Sequence, residues 1–216
     1  MTDKLYRTAE ALQTALAGRE PRRLGGSAGA RPAAVLMPLW EDQDQVQVVF
    51  TKRQSNLPHH PGQISFPGGA ADPDDPDLAH TALRETCEEI GVCQGLVEVV
   101  VRLDQVITIT NFLVTPFVGL VDPLARFQPN PVEVDRLVVV PLAKVLDRAS
   151  YQPRDLNWEG MKLRQVALEH QGDVIWGATA RMLLNLLDAL GDSAGLVARA
   201  SLDGGQKGMD RAGGLV

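Results

Sequence analysis

The chain has 216 residues, of which 44% are hydrophobic and 22% charged, as is typical of a soluble globular protein with one sizeable core. Its formal net charge of −6 argues against broad electrostatic attraction to nucleic acid or to an anionic membrane, since both need an excess of lysine and arginine. Cys87 and Cys93 are too few for a disulfide framework, and no apolar run is long enough to span a membrane. The sequence therefore predicts a cytoplasmic protein.

The N-terminal half begins with an amphipathic helix and a loop rich in Gly, Pro, Ser and Arg, which together occupy residues 1–32. Segments 33–40 and 46–53 predict a strand hairpin, because Val, Leu and Phe dominate them and a polar turn separates them. An acidic loop then leads into a helix predicted from Leu78 to Ile90. Asp77 is its expected N-cap, and Gly91 is the glycine expected to end it.

The C-terminal half predicts more strands, followed by a closing helix. The predicted elements are strands in LVEVVVRLDQVIT, FLVTPFVGLV and LVVVPL, a short helix in AKVLDRAS, a hairpin of MKLRQVALEH and DVIWG turning at Gln171 and Gly172, and a helix in ATARMLLNLLDALG. Residues 192–216 are glycine-rich without periodicity and predict a flexible tail. The main domain is thus expected at 33–191, with an α/β (α+β) fold in which helices pack on a mixed sheet.

The helix over residues 78–90 carries the clearest chemical signal. Glu85, Glu88 and Glu89 fall within a sector of roughly 100° on the helix surface. Like charges at this spacing repel each other, so the cluster suggests a counter-ion, for which Mg²⁺ or Mn²⁺ suits oxygen-only ligands. The alternative is an acidic face in contact with water. Arg84 lies one turn before Glu88 and can pair with it, whereas Cys87 falls on the opposite, apolar side, which argues against a thiol nucleophile.

A glycine turn precedes this helix and gives the acidic cluster a recognisable context. In SFPGG, residues 65–69, the backbone can approach a metal or a phosphate closely. With RETCEEIGV, this turn resembles the Nudix box, a glycine followed after a spacer by Arg-Glu, an aliphatic position, any residue, Glu-Glu, any residue, Gly and an aliphatic position. The matching residues are Gly69, Arg84, Glu85, Thr86, Glu88, Glu89, Gly91 and Val92.

The match departs from the box in the spacer. The box has a glutamate midway between its glycine and its arginine, whereas this chain has only aspartates there, at positions 72, 74, 75 and 77, and one additional residue. Thr86 also replaces an aliphatic residue. The resemblance implies a Nudix hydrolase with a Nudix-like α/β/α sandwich and a mixed central β-sheet. It also implies that Glu85, Glu88, Glu89 and the Gly69 carbonyl bind Mg²⁺ or Mn²⁺, with Arg84 orienting the carboxylates.

Residues 48–69 are similar to an additional motif that marks the coenzyme A pyrophosphatase branch of this family. The matching residues are Thr51, Lys52, Arg53, Leu57, His60, Gly62, Gln63, Ile64, Ser65, Phe66, Pro67, Gly68 and Gly69, while Gln54 and Pro58 replace a serine and an arginine. The resemblance implies hydrolysis of coenzyme A, or of an acylated or oxidised derivative, to 3′,5′-ADP and 4′-phosphopantetheine.

Four residues of this motif are the predicted substrate-binding groups. Lys52 and Arg53 offer positive charge to an anionic coenzyme, and His60 and Gln63 offer hydrogen bonds to its phosphates or amides. The alternative is that Lys52 and Arg53 end a strand in water and that His60 shapes a turn.

Glu133 stands in a later stretch that also matches the branch. It is a candidate metal ligand or general base, with an ordinary surface glutamate as the alternative. Two other functions stay open: a Nudix hydrolase for another nucleoside diphosphate derivative such as ADP-ribose, and a nucleotide-sensing module without turnover. The expected partner is a small-molecule nucleotide, not nucleic acid or membrane, and a homodimer is compatible with the sequence.

Overall fold

The computed structural model describes residues 2–24, 29–57, 60–158 and 160–202. Its helices are α1 (Asp3–Ala15), α2 (Leu78–Ile90), α3 (Leu142–Val145), α4 (Gly177–Leu190) and α5 (Ala194–Ala200). Its strands are β1 (Arg31–Asp42), β2 (Gln45–Arg53), β3 (Ile64–Ser65), β4 (Gly68–Ala70), β5 (Val97–Arg102), β6 (Val106–Ile107), β7 (Phe112–Val121), β8 (Val134–Pro141), β9 (Tyr151–Trp158), β10 (Met161–His170) and β11 (Asp173–Ile175).

Eight of these strands form one mixed sheet. Five of them follow the order β3-β2-β1-β7-β5, and the other three, β4, β6 and β8, pair with β1, β7 and β2. β1 and β7 run parallel, whereas β1 and β2 form the predicted antiparallel hairpin. β8 pairs with β2, and the short β4 pairs with β1 so that Gly69 lies opposite Ala34. The sheet therefore places the glycine turn against the middle of β1.

Helices cover both faces of this sheet, because successive residues of a strand point to opposite sides. Ala34 and Leu36 of β1 pack with Ala82 of α2. Met37 and Leu39 point the other way, into the large core cluster to which α1, α3, α4 and α5 contribute Leu5, Val145, Leu183 and Val197. The predicted α/β/α sandwich with a mixed central sheet is thus confirmed.

The two terminal segments are part of this core. Leu5 and Leu12 of α1 are fully buried in the large cluster, so residues 1–32 are not a unit apart from the domain. Residues 194–200 form α5, whose Val197 is fully buried in the same cluster. The expectation of a flexible tail from residue 192 is therefore wrong as far as residue 202. Residues 203–216 lie outside the described part of the chain.

A separate three-stranded sheet has the order β11-β10-β9. The predicted hairpin of β10 and β11 is present, and Gln171 and Gly172 form its turn with φ values of 51° and 84°. Strand β9 was not predicted from the sequence, because it contains Pro153 and many polar residues. An edge strand tolerates this composition, because one side of its backbone needs no partner within the sheet.

Cys87 and Cys93 are joined in a disulfide that spans the C-terminal end of α2. Cys87 is half-buried and Cys93 exposed, so the expectation that Cys87 faces the core is wrong. The bond also removes the basis of the cytoplasmic prediction, because disulfides persist mainly in oxidising compartments. No helix in the described residues is both long enough and apolar enough to cross a membrane.

Candidate active site

Helix α2 begins and ends where local capping signals predict. The Asp77 carboxylate accepts the backbone N–H of His80 at 2.8 Å, and Gly91 ends the helix with φ of 72°. A Cβ at residue 91 would lie 2.9 Å from the Cβ of Gln128, so the close approach of that loop also requires glycine. These two ends fix the rotation of α2 and hence the direction of its acidic side chains.

Arg84 makes most of the polar side-chain contacts described for this helix. Its guanidinium donates two hydrogen bonds of 3.0 Å to the Asp75 carboxylate, one from Nε and one from Nη2. Nη1 donates to Glu85 at 2.9 Å and to Glu88 at 3.3 Å, and Nη2 also donates to the Ala70 carbonyl at 3.1 Å. Arg84 therefore orients two of the three predicted metal ligands and ties them to the preceding loop.

Asp75 is the partner of Arg84 that sequence analysis left without a role. The Arg84 hydrogen bonds hold the pKa of Asp75 well below its usual range, and the Thr81 hydroxyl donates a further bond of 2.8 Å. Asp75 stands near the middle of the interval between Gly69 and Arg84, where the Nudix box has its glutamate. That position in the sequence could have indicated a role for Asp75. Its bidentate contact with Arg84 is the arrangement that carboxylate–guanidinium pairs favour.

The Glu85 carboxylate lies directly over the backbone of Gly69. A Cβ at residue 69 would come within 2.4 Å of Glu85 Oε1, so any side chain there would displace the carboxylate. Burial raises the pKa of Glu85 while Arg84 lowers it, and the negative charges of Glu88 and Glu133 raise it further. The predicted meeting of the glycine turn with the acidic helix is thus present in the structure.

Glu89 is the most deeply buried of the three glutamates, with 5% of its surface exposed. It accepts hydrogen bonds from the Thr51 hydroxyl at 3.2 Å and from the backbone N–H of Gly68. Burial raises its pKa to about 7, opposed by the charge of Arg53 and reinforced by that of Glu85. Both ends of the segment 51–68 therefore contact the same carboxylate.

These carboxylates have the chemistry of a divalent-cation site. Glu88 is more open to solvent than the other two, with 57% of its side chain exposed. Glu85 interacts repulsively with Glu88 and with Glu89, and all three offer only oxygen donors, which suit a hard cation. Within the described ranges, no three acidic, His or Cys side chains are grouped closely enough to hold a metal ion, and Arg84 hydrogen-bonds Glu85 and Glu88.

Glu133 is brought to the same site by the loop that precedes β8. The backbone N–H of Asn130 donates to the Glu89 carbonyl at 2.8 Å, and the N–H of Glu133 donates to the Asn130 carbonyl at 3.1 Å. Because the charge of Glu133 acts on Glu85, its carboxylate lies within electrostatic range of the acidic cluster.

Lys52 and Arg53 diverge, as neighbouring residues of a strand do. The charge of Arg53 reaches Glu89, and its buried Nε has no hydrogen-bond partner within the described residues. Lys52 instead donates to Asp173 at 3.3 Å, where Arg136 also donates at 2.6 Å. Only Arg53 of this pair therefore joins the acidic cluster.

His60 and Gln63 lie in the loop between β2 and β3. The Gln63 backbone donates to the His60 carbonyl at 3.2 Å and accepts the N–H of Arg53 at 2.9 Å. His60 has φ of 55°, and its Nδ1 is buried without a hydrogen-bond partner in the part of the chain that the structure describes. Gln63 thus lies beside Arg53, and His60 contacts Gln63, while Pro58 and His59 lie outside the described residues.

Comparison with known proteins identifies the family to which this α/β/α sandwich with its acidic helix belongs. The model of the NUDIX domain matches residues 30–158, more than half of the chain. The Nudix hydrolase NudL of Photorhabdus laumondii, described as uncharacterized, is 37% identical over 166 residues, which cover 77% of this chain and 87% of that protein. NudL of Yersinia pestis is 38% identical over 160 residues, covering 74% and 80%. The chain belongs to the Nudix family.

The similar solved structures are more distant in sequence. A C. elegans Ap4A hydrolase has a TM-score of 0.44 and 19% identity, covering 51% of this chain and 80% of that one. A MutT/nudix family protein from Enterococcus faecalis has a TM-score of 0.49 and 14% identity, covering 88% and 79%. By family, the protein is a Nudix hydrolase, and such enzymes act on small nucleotide substrates with divalent metal ions.

Proposed function

We propose that this Nudix hydrolase cleaves the diphosphate bond of coenzyme A, or of an acylated or oxidised derivative, to give 3′,5′-ADP and 4′-phosphopantetheine or its acyl form. The observation that carries the proposal is the contact between the coenzyme-branch motif and the acidic helix. Thr51 and Gly68, at the two ends of that motif, both donate hydrogen bonds to Glu89. A segment tied to the acidic cluster at both ends is well placed to select the substrate there.

Glu85, Glu88, Glu89 and the carbonyl of Gly69 are the groups that would hold Mg²⁺ or Mn²⁺. When bound, a divalent cation neutralises the charge of the diphosphate and lowers the pKa of water. Arg84 keeps Glu85 and Glu88 in place through its own contacts with Asp75. Holding ligands in advance lowers the entropic cost of assembling the site.

The reaction needs one proton transfer and no covalent enzyme intermediate. The oxygen of water forms a bond to one phosphorus atom, and the bond from that phosphorus to the bridging oxygen breaks, so that the bridging oxygen leaves with the other phosphate. In this proposal a carboxylate oxygen of Glu133 accepts the proton of the attacking water. Glu133 is suited to that role because its charge acts on Glu85, whereas Arg84 forms its salt bridges with Asp75, Glu85 and Glu88.

Arg53, His60 and Gln63 supply contacts to the substrate. The Nε of Arg53, which has no hydrogen-bond partner among the described residues, can donate to a phosphate oxygen, whose geometry matches that of a guanidinium group. His60 Nδ1, also unpaired within the described residues, and the side chain of Gln63 can hydrogen-bond phosphate or amide groups. Lys52 contributes charge from the far side of the strand, because Asp173 already holds its ammonium group.

The test is a side-by-side measurement of kcat/KM for coenzyme A and for ADP-ribose, with Mg²⁺ and with Mn²⁺. We expect the higher value for coenzyme A, because ADP-ribose lacks the pantetheine arm and the 3′-phosphate. Equal or reversed values would assign the protein to another Nudix branch. Binding of both nucleotides without turnover under either metal would indicate a sensing module.

A further inference from the structure

Gln54 follows β2 directly, at a position where the coenzyme-branch motif has a serine. Its side-chain amide donates to the Pro131 carbonyl at 3.0 Å and to the Val134 carbonyl at 3.4 Å. Its backbone N–H donates to the Glu133 carbonyl at 2.9 Å. One residue thus makes three hydrogen bonds to the short segment that carries Glu133.

The same segment is held from its other side by α2. The N–H of Asn130 donates to the Glu89 carbonyl at 2.8 Å, and the Asn130 carbonyl accepts the N–H groups of Glu133 and Val134 at 3.1 and 2.8 Å. Val132, within the segment, has 72% of its surface exposed and so contributes little apolar packing. Val134 is buried and pairs with Arg53 of β2, so the polar contacts to Gln54 and to α2 restrain chiefly residues 130–133.

We propose that Gln54 is a positioning residue, which sets the place of the Glu133 carboxylate relative to Glu85 and Glu89. This inference rests on the role of proton acceptor proposed above for Glu133. The two carbonyls bound by the Gln54 amide flank Glu133 in sequence, so they restrain both the position and the direction of its backbone. A serine has one hydroxyl donor on a shorter side chain and cannot reach both carbonyls.

The consequence is catalytic because general-base efficiency depends on geometry. A misplacement of about 1 Å can cost up to about 10²-fold in rate even when the altered residue is remote from the reacting atoms. Loss of the Gln54 amide leaves Glu133 chemically intact and the predicted metal ligands untouched. Its effect should appear in kcat, since the substrate contacts assigned to Arg53, His60 and Gln63 remain.

The experiment is a double-mutant cycle on the full chain with coenzyme A and Mg²⁺. We expect Gln54→Ala to lower kcat by about 10-fold while KM changes by less than about twofold. Glu133→Gln should lower kcat by about 10²-fold or more. In the Glu133→Gln background, Gln54→Ala should change kcat by less than about twofold, because no carboxylate remains to be positioned.

Two further variants separate positioning from loss of fold. Gln54→Glu keeps the size of the side chain but removes the donors, so it should reproduce the loss in kcat. Gln152→Ala is the matched control, because the Gln152 amide also donates to a carbonyl, that of Ala149, but in the separate small sheet. Thermal melts on the same samples check the fold, and faster amide exchange at Asn130, Glu133 and Val134 in Gln54→Ala is the expected sign of a released segment.

Several results would overturn the inference. One is a wild-type kcat in both Gln54→Ala and Gln54→Glu, and another is an equal loss of kcat from Gln54→Ala with and without the Glu133 carboxylate. The inference would also fail if Gln54→Ala changed only KM, or if it left amide hydrogen exchange in residues 130–134 unchanged. Wild-type kcat in Glu133→Gln would also overturn it while leaving the hydrolase assignment intact. An inactive wild-type protein would instead refute the proposed function itself and, with it, the role of Gln54.

Discussion

Glu89 is the residue at which burial and charge conflict most directly. Its carboxylate is almost fully enclosed, and among the described residues the Gly68 N–H, the charge of Arg53 and the Thr51 hydroxyl are what stabilise an anion there. Burial therefore dominates and raises the pKa of Glu89 from 4.5 to about 7. A buried carboxylate that lacks enough positive charge and hydrogen-bond donors around it is expected of a cation-binding site in its metal-free state.

This conflict predicts a pH-dependent stability of the metal-free protein. Above pH 4.5 an unfolded chain has lost the Glu89 proton, whereas the folded chain retains it until about pH 7. The free energy of unfolding should therefore fall as pH rises from 4.5 to 7, by at most about 3 kcal/mol, and level off above that. Thermal melts in chelator should show a smaller fall for Glu89→Gln than for wild type.

The same substitution should impair catalysis. Glutamine preserves the size of Glu89 but weakens coordination of a hard cation, so kcat with saturating Mg²⁺ should fall by at least about 10-fold. Glu98→Gln is the control, because Glu98 is exposed in β5 and contacts none of the acidic cluster among the described residues. Near wild-type kcat in a folded Glu89→Gln protein would mean that other carboxylates bind the metal.

At the level of residues, the sequence predicted which side chains belong to the site better than it predicted how buried they are and what they contact. Helical periodicity is a local property, so it placed Glu85, Glu88 and Glu89 on one sector of α2. Which of them is buried depends on β2 and β4, which are distant in sequence, and periodicity carries no information about that. The same limit explains Lys52, whose ammonium group pairs with Asp173 more than a hundred residues away.

At the level of elements, the bounds of α2 could be predicted from the sequence, whereas α5 could not be predicted at all. The bounds of α2 follow from Asp77 and Gly91, whose capping geometry is encoded within a few residues. α5 has seven residues, includes Gly195, and lacks a side-chain N-cap hydrogen bond. A helix this short is stabilised by tertiary packing and not by intrinsic propensity, so its sequence indicated a loose tail.

The packing of α5 leads to a prediction opposite to the one that a flexible tail from residue 192 would give. Val197 is fully buried beside α1 and α3, so Val197→Ala should lower the free energy of unfolding by about 1 to 3 kcal/mol. Leu196→Ala is the matched control on the preceding residue of the helix, where 61% of the surface is exposed. Chemical denaturation of both variants measures the difference, and equal midpoints would show that α5 contributes nothing to the core.

At the level of the whole molecule, the central sheet assembles the candidate site from separate parts of the chain. Thr51 at the end of β2, Gly68 and Gly69 in β4, and Glu133 before β8 all meet the glutamates of α2. The class of the fold was predictable, because the order of strands and helices and the family resemblance both indicate an α/β/α sandwich. Apart from the two predicted hairpins, the pairing of strands was not predictable, since it depends on contacts between distant segments, as between β1 and β7 or β2 and β8.

Analysis of the products formed from coenzyme A tests the central claim most directly. Purified full-length protein is incubated with coenzyme A in chelator, and then with an excess of Mg²⁺ or Mn²⁺, and the products are separated and identified. Because the acidic cluster alone repels a diphosphate, we predict no cleavage in chelator and, once metal is added, 3′,5′-ADP and 4′-phosphopantetheine in equal amounts. Full turnover in chelator, cleavage at another bond, or intact coenzyme A with both metals would contradict the account.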